Sequence, residues 1–241
     1  MVSKNELKLI TSLRQKKYRD REGLFIAEGP KIIQDFLSAG ATLVKLFALP
    51  GQFEDIALRV QVDDKALKKI SALRTPNNAL AIFKKFAQPQ LTQKGFVLCL
   101  DEIQDPGNLG TIIRLADWFG VTQIVCSIQT VDCYNLKVVQ ATMGSLARVP
   151  ISYVDLNTYL KSHPLAIYGG FMDGTSVYKA QLPKDAILVM GNEGNGISKE
   201  IAQLIQQKIS IPNMGSGQTE SLNVATATAI LLSEFKRSTE T

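Results

Sequence analysis

Histidine is almost missing from this chain: His163 is the only one in 241 residues. Its scarcity removes the commonest general base and the commonest metal ligand together. Cysteine is scarce too. Cys99 and Cys126 fall in strand-like apolar runs, Cys133 follows in a polar stretch, and no pair is spaced as CxxC. A zinc site would have to gather four ligands from scattered positions, so no metal is expected and the thiols are read as buried and reduced. No apolar run approaches the roughly 20 residues of a membrane-spanning helix. The N-terminal stretch MVSKNELKLITSLRQKKYRD lacks the apolar run and small-residue cleavage site of a secretory signal, so a cytoplasmic protein is expected. G-x-G-x-x-G, a P-loop, internal repeats and low-complexity segments are absent as well.

What remains is an ordinary globular mix, 45% hydrophobic and 20% charged, rich enough to build a core. The charge, however, is uneven. Residues 1–94 carry 17 Lys and Arg against 9 Asp and Glu, whereas residues 95–241 carry 10 against 13. The first part either presents a solvated lysine-rich face or docks a polyanion, of which nucleic acid is the commonest.

Periodicity organises the chain. Leu7, Ile10 and Leu13 recur at helical spacing, followed by a strand at 24–29, a helix at 29–40, a strand at 43–49, a helix at 66–73 and a strand at 79–86. These elements make residues 1–88 a small α/β domain, and the polar, proline-bearing residues 89–95 a linker. At the start of the domain 96–241, GFVLCLDEI (95–103) is an apolar run with no polar alternation, as expected of a strand covered on both faces. Helices at 108–119, 135–147, 156–162, 198–207 and 221–236 then alternate with strands at 122–127, 149–154, 165–171, 186–191 and 208–212. The expected fold is an open parallel α/β sheet, whose ligands bind beyond the carboxyl ends of the strands.

Three of those ends stand out. In QDPGNLGTIIRLADWFG (104–120), Pro106-Gly107 makes a turn, Asn108 is placed to cap a helix starting at Leu109, and Gly110 precedes Arg114 by one turn. Arg114 lies off the apolar stripe and either pairs with Asp117 or serves a ligand. A first-turn glycine costs about 1 kcal/mol against alanine, and Gly110 is read as clearing space for a phosphate or ribose beside the guanidinium. In ILVMGNEGNGIS (187–198), Glu193 sits among glycines, where it would repel a pyrophosphate and suit a cationic or hydroxyl-bearing ligand. In SIPNMGSGQTESLNVATATAI (210–230), Ser221 is the expected cap of a helix unusually small along its first turns.

With these three loops in this order, the chain resembles the SpoU family of RNA ribose methyltransferases, of the SPOUT class. The matching residues are Asn108, Gly110 and Arg114 as N-x-G-x-x-x-R; Gly191, Glu193 and Gly194 as G-x-E-G; and Ile211, Pro212 and Ser221 to Val224 as I-P…S-L-N-V. Residues 140–151 are similar to the family's connecting segment, and 16–40 to its small substrate-binding domain. The resemblance implies an N-terminal RNA-binding domain and a Rossmann-like parallel-sheet domain ending in a trefoil knot. It implies S-adenosylmethionine as methyl donor, held around Met190, Gly191, Asn192, Gly194, Ile211, Pro212, Ser221 and Leu222. Arg114, Asn108, Glu193, Ser221 and Asn223 become the expected catalytic set, and Lys16, Lys17, Arg19 and Arg21 the expected RNA contacts. A homodimer acting on structured RNA is implied, ribosomal RNA first and transfer RNA second, with no metal and no membrane. The segment between Pro212 and Ser221 is longer than the family pattern. A catalytically silent RNA-binding protein and an ordinary doubly wound nucleotide enzyme stay open as alternatives.

Overall fold

The computed structural model describes residues 2–215 and 221–237. Its elements run α1 (Lys4–Ser12), α2 (Lys16–Glu22), β1 (Leu24–Glu28), α3 (Pro30–Ser38), β2 (Leu43–Ala48), β3 (Arg59–Gln61), α4 (Asp64–Ile70) and β4 (Ala79–Lys84). They continue with β5 (Phe96–Leu100), α5 (Pro106–Trp118), β6 (Gln123–Ser127), α6 (Leu136–Thr142), β7 (Ile151–Val154), α7 (Leu156–Ser162) and β8 (Ile167–Ser176). The last are β9 (Ala186–Met190), α8 (Lys199–Ala202), β10 (Gln207–Ser210) and α9 (Val224–Arg237). They fall into two compact units, Met1–Ala87 with Asp132–Arg148, and Gln88–Val131 with Val149–Thr241.

The first unit is built on a mixed sheet in the order β1-β4-β2-β3. Ser3 caps α1 and Glu6 returns the bond in a capping box. Glu6 also pairs with Lys45 at 2.5 Å, and that partner together with Ser3 holds its carboxyl down at about 2. Helix α2 is invisible to apolar periodicity, because KKYRDRE contains no apolar stripe and its buried residue is an arginine. Arg19 is 3% exposed, and its guanidinium meets Asp132 at 2.6 Å while donating to the Leu13 carbonyl at 3.0 Å. It is therefore not an RNA contact: the charge that was expected at the surface is neutralised inside.

Asp132 belongs to an excursion, residues 132–148, that the chain makes between β6 and β7. The sequence assigns this segment to the 96–241 domain, but it packs with the first unit. Helix α6 lies against β1, and the Phe86 N–H donates to the Tyr134 hydroxyl at 3.0 Å. The Tyr134 ring sits 5.0 Å from that of Phe25, inside a cluster with Phe36 and Phe83. Burial of this kind, more than propensity, stabilises so short a helix.

The second unit is a six-stranded sheet, parallel at every pairing, in the order β10-β8-β9-β5-β6-β7. Strands β5, β6 and β9 are buried along their whole length, which is why they read as unbroken apolar runs. From β5 the chain winds outward through β6 and β7, then crosses over, and β9 inserts on the other side of β5. That reversal brings the loops after β5 and β9 side by side. Helix α8 is shorter than the expected 198–207: the chain turns after Gln203, and Leu204 and Ile205 pack onto the core as a turn. All three cysteines are free and buried, and burial pushes the Cys99 thiol up and out of reach of ordinary nucleophilic chemistry. Among the described residues no cluster of metal-ligating side chains forms, and no helix is long and apolar enough to cross a membrane.

Candidate functional site

Helix α5 starts at Pro106, three residues earlier than a cap at Asn108 would start it. Asp105 is the cap, its Oδ1 accepting the Asn108 N–H at 2.8 Å, and Pro106 takes the first helical position, where a missing N–H costs nothing. Relieved of capping, the Asn108 side chain is free to reach across the sheet end. Its Nδ2 donates to Glu193 Oε1 at 2.9 Å, and its Oδ1 accepts from Asn223 Nδ2 at 2.9 Å. One amide thus ties together the three loops that the sequence singled out.

Each partner is itself held. Glu193 also faces the backbone N–H groups of Gln104 and Asp105 at 3.4 Å, so its carboxylate is fixed by donors from the loop after β5. Asn223, not Ser221, caps α9: its Oδ1 accepts from the N–H of Ala225 at 2.9 Å and of Thr226 at 3.3 Å. An amide can cap with its oxygen while linking with its nitrogen, which a hydroxyl cannot do at this reach. Ser221 and Leu222 are exposed just ahead of that cap. Within α9, Thr228 bonds back to the Val224 carbonyl at 2.7 Å and is buried.

The turn after β9 is shaped by Asn192. Its Nδ2 donates to the Glu102 carbonyl at 2.7 Å, and its Oδ1 accepts from the N–H groups of Gly194 and Asn195. Gly191 has no room for a side chain, since a Cβ there would overlap the Gly196 carbonyl carbon and the Ile197 nitrogen. Its need for glycine comes from its own chain. Gly194 differs: among the described residues a Cβ there meets only Asn192 Oδ1, at 3.6 Å, so none of them requires a glycine. Met190 is buried with its sulfur near Gly170, and its carbonyl takes the Asp101 N–H at 2.9 Å. It supports the floor of the turn.

Two supporting residues escaped sequence reasoning. Asp101 is buried and accepts the Ser198 N–H at 2.8 Å, tying the start of α8 to the end of β5. Glu102 has a φ of 58°, held there by its N–H to Ser127 Oγ at 2.9 Å and by Asn192 on its carbonyl. Nothing in a lone glutamate signals a left-handed backbone. Strain of this kind persists where its surroundings over-determine it, and it clusters at functional sites.

Arg114 is exposed on α5, and its guanidinium has no ion pair or hydrogen bond among the described residues, so the alternative of a pair with Asp117 is not formed. Gly110, by contrast, is buried on a helix that packs against α9. Beyond β10, Ile211 and Pro212 are half-buried, Met214 is 84% exposed and Leu222 48% exposed. The longer segment between Pro212 and Ser221 lies partly outside the described residues, at 216–220. Exposed apolar side chains near a fixed carboxylate suit a ligand with a flat base and a cationic centre, and suit a polyphosphate poorly. The residues present therefore fit S-adenosylmethionine.

Comparison with known proteins agrees with this reading. Residues 95–233 match the SpoU rRNA Methylase family, and residues 4–81 match an MRM3-like substrate binding domain. The 23S rRNA guanosine 2'-O-methyltransferase RlmP of Bacillus subtilis is 29% identical over 230 residues, covering 91% of each chain. Among solved structures, a protein of the TrmH family of RNA methyltransferases from Porphyromonas gingivalis is 40% identical at a TM-score of 0.90, covering 98% of this chain and 99% of its own. An AdoMet-bound rRNA methyltransferase from Sinorhizobium meliloti is 32% identical at a TM-score of 0.86, covering 98% and 97%. Three loops joined through one asparagine at the switch point of a parallel sheet, with a family match over more than half its length, make this chain a member of the SpoU rRNA methylase family.

Proposed function

We propose that this chain methylates a ribose 2'-hydroxyl in ribosomal RNA, with S-adenosylmethionine as the donor. The observation that carries the reading is the chain of hydrogen bonds from Asn223 through Asn108 to Glu193, with the exposed Arg114 on the same helix as Asn108. The turn Gly191–Gly194, Ile211–Pro212 and the exposed Leu222 would hold the donor, and Gly194 stays small for the ligand's sake. When bound, the donor supplies an electrophilic methyl group on a sulfonium. Arg114 binds the phosphate beside the target ribose and places its charge next to the 2'-hydroxyl, favouring the oxyanion that develops on that oxygen. A guanidinium that already carries its full set of protons is a poor proton acceptor, so the proton passes to the substrate phosphate or to solvent. Asn108 and Glu193 act through position: they lock the loop from which α5 departs and so fix where Arg114 stands. Ser221, exposed before the α9 cap, lines the same opening.

The working form we propose is a homodimer. Trp118 is 85% exposed four residues beyond Arg114, on the same face of α5. A second copy covering that indole would sit beside the guanidinium. The C-terminal trefoil knot belongs to the same reading and is supported by the likeness to TrmH-family structures. A cytoplasmic location follows from a ribosomal substrate.

Mapping 2'-O-methyl positions on total RNA from cells with and without this chain tests the function. Loss of one position in ribosomal RNA is the expected result; loss confined to transfer RNA would redirect the substrate, and no loss would remove the activity. RNA contact is assigned to Lys16, Lys17 and Arg21 on α2. Replacing these three with glutamine should flatten the salt dependence of RNA binding by about 0.7 in log–log slope for each single-strand phosphate no longer neutralised. Binding titrations at several salt concentrations read that slope, and an unchanged value would move the RNA path elsewhere.

A further inference from the structure

Away from the methyl-transfer site, the first unit carries an open groove of about 400 Å³ lined by Pro30, Lys31, Gln34, Gln52, Phe53 and Asp55. Its volume falls in the range of small-molecule and nucleotide sites. One wall is the start of α3; the other is the turn between β2 and β3. That turn is built with unusual care. Arg59 donates from Nε to the Gln52 carbonyl at 2.7 Å and from its terminal nitrogen to the Leu49 carbonyl at 3.2 Å. The Glu54 carboxylate accepts the Gly51 N–H at 3.1 Å. Held in this frame, Phe53 has a φ of 54°, a left-handed conformation that a bulky residue rarely adopts. A surface turn would relax by taking glycine or asparagine at that position. This one keeps an aromatic ring, half-exposed, and pins the backbone around it.

Lys31 and Asp55, on opposite walls, have no partner among the described residues. The groove therefore combines an aromatic face, a cation, a carboxylate and two carboxamides. An unstacked nucleotide calls for that set. The ring stacks the base, Lys31 meets a backbone phosphate, and Asp55 accepts from the imino and amino donors on the pairing edge of a guanine. A phosphate-only ligand has no use for Asp55, and a purely apolar one has no use for Lys31.

We propose that this groove binds a single unpaired nucleotide of the RNA substrate, guanosine above the others, and so anchors the RNA apart from the reacting ribose. The proposal rests on the reading of the chain as an RNA methyltransferase. The probes are a short RNA hairpin with one bulged guanosine and the same hairpin with an abasic bulge. The full chain should bind the first about tenfold more tightly, in keeping with the loss of one base stack. Phe53→Gly should erase that difference while keeping or raising the thermal midpoint, because glycine relieves the left-handed backbone. It should leave S-adenosylmethionine affinity, read by calorimetry, unchanged. Equal binding of both hairpins by the parent chain would overturn the groove yet leave RNA recognition standing. So would a Phe53→Gly chain that still prefers the guanosine. If the parent chain binds neither hairpin while S-adenosylmethionine binds, the RNA-binding role of the first unit falls together with the groove.

Discussion

Arg114→Ala should lower methyl transfer by about 100-fold or more while leaving folding and S-adenosylmethionine affinity intact. The size follows from removing a preorganised charge at the atom where charge develops. The selectivity follows from the structure: Arg114 is exposed and makes no bond that folding would miss. Single-turnover transfer to the RNA substrate measures the first quantity, and calorimetry with the donor the second. Arg114→Lys should recover little, since a point charge replaces a planar fork that holds a phosphate through two parallel bonds. A near-normal rate in the alanine variant would take Arg114 out of the mechanism. A drop in donor affinity of the same size would show that it lines the donor site instead.

The next largest effect is one of stability. Arg19→Ala leaves the Asp132 carboxylate, itself buried, without its counter-ion in the interior of the first unit. Breaking a buried pair on one side costs about 3–5 kcal/mol, because the remaining charge loses its partner and does not regain water. Urea unfolding followed by far-UV dichroism reads the loss. The double replacement Arg19→Met with Asp132→Leu should return most of it, since an apolar pair of similar volume carries no desolvation cost. If Arg19 instead met RNA directly, the single replacement would weaken binding and spare stability. The two outcomes are opposite.

Much of the fold could be read directly. Strands β5, β6 and β9 are covered on both faces, and coverage writes itself into the chain as apolar runs. The three loops of the candidate site were legible for a related reason: glycine, asparagine and a lone carboxylate at strand ends are costly without a use. What could not be read was which residue does what within each loop. Asp105 and Asn108 can both cap α5, and Ser221 and Asn223 can both cap α9; the choice is made by a partner lying 85 or 115 positions away. Helix α2 hid for the opposite reason. Its inward residue is charged, so the usual sign of an interior face is inverted.

The excursion at 132–148 has a consequence for anyone cutting or recombining this chain. The backbone passes from one unit to the other three times, after Ala87, after Val131 and after Arg148. A fragment ending at Ala87 would keep Arg19 and Phe25 but lack the carboxylate and the tyrosine ring that complete them. The N-terminal part is therefore not a detachable cassette. Any exchange that respects its interior has to carry a piece of the later sequence along with it.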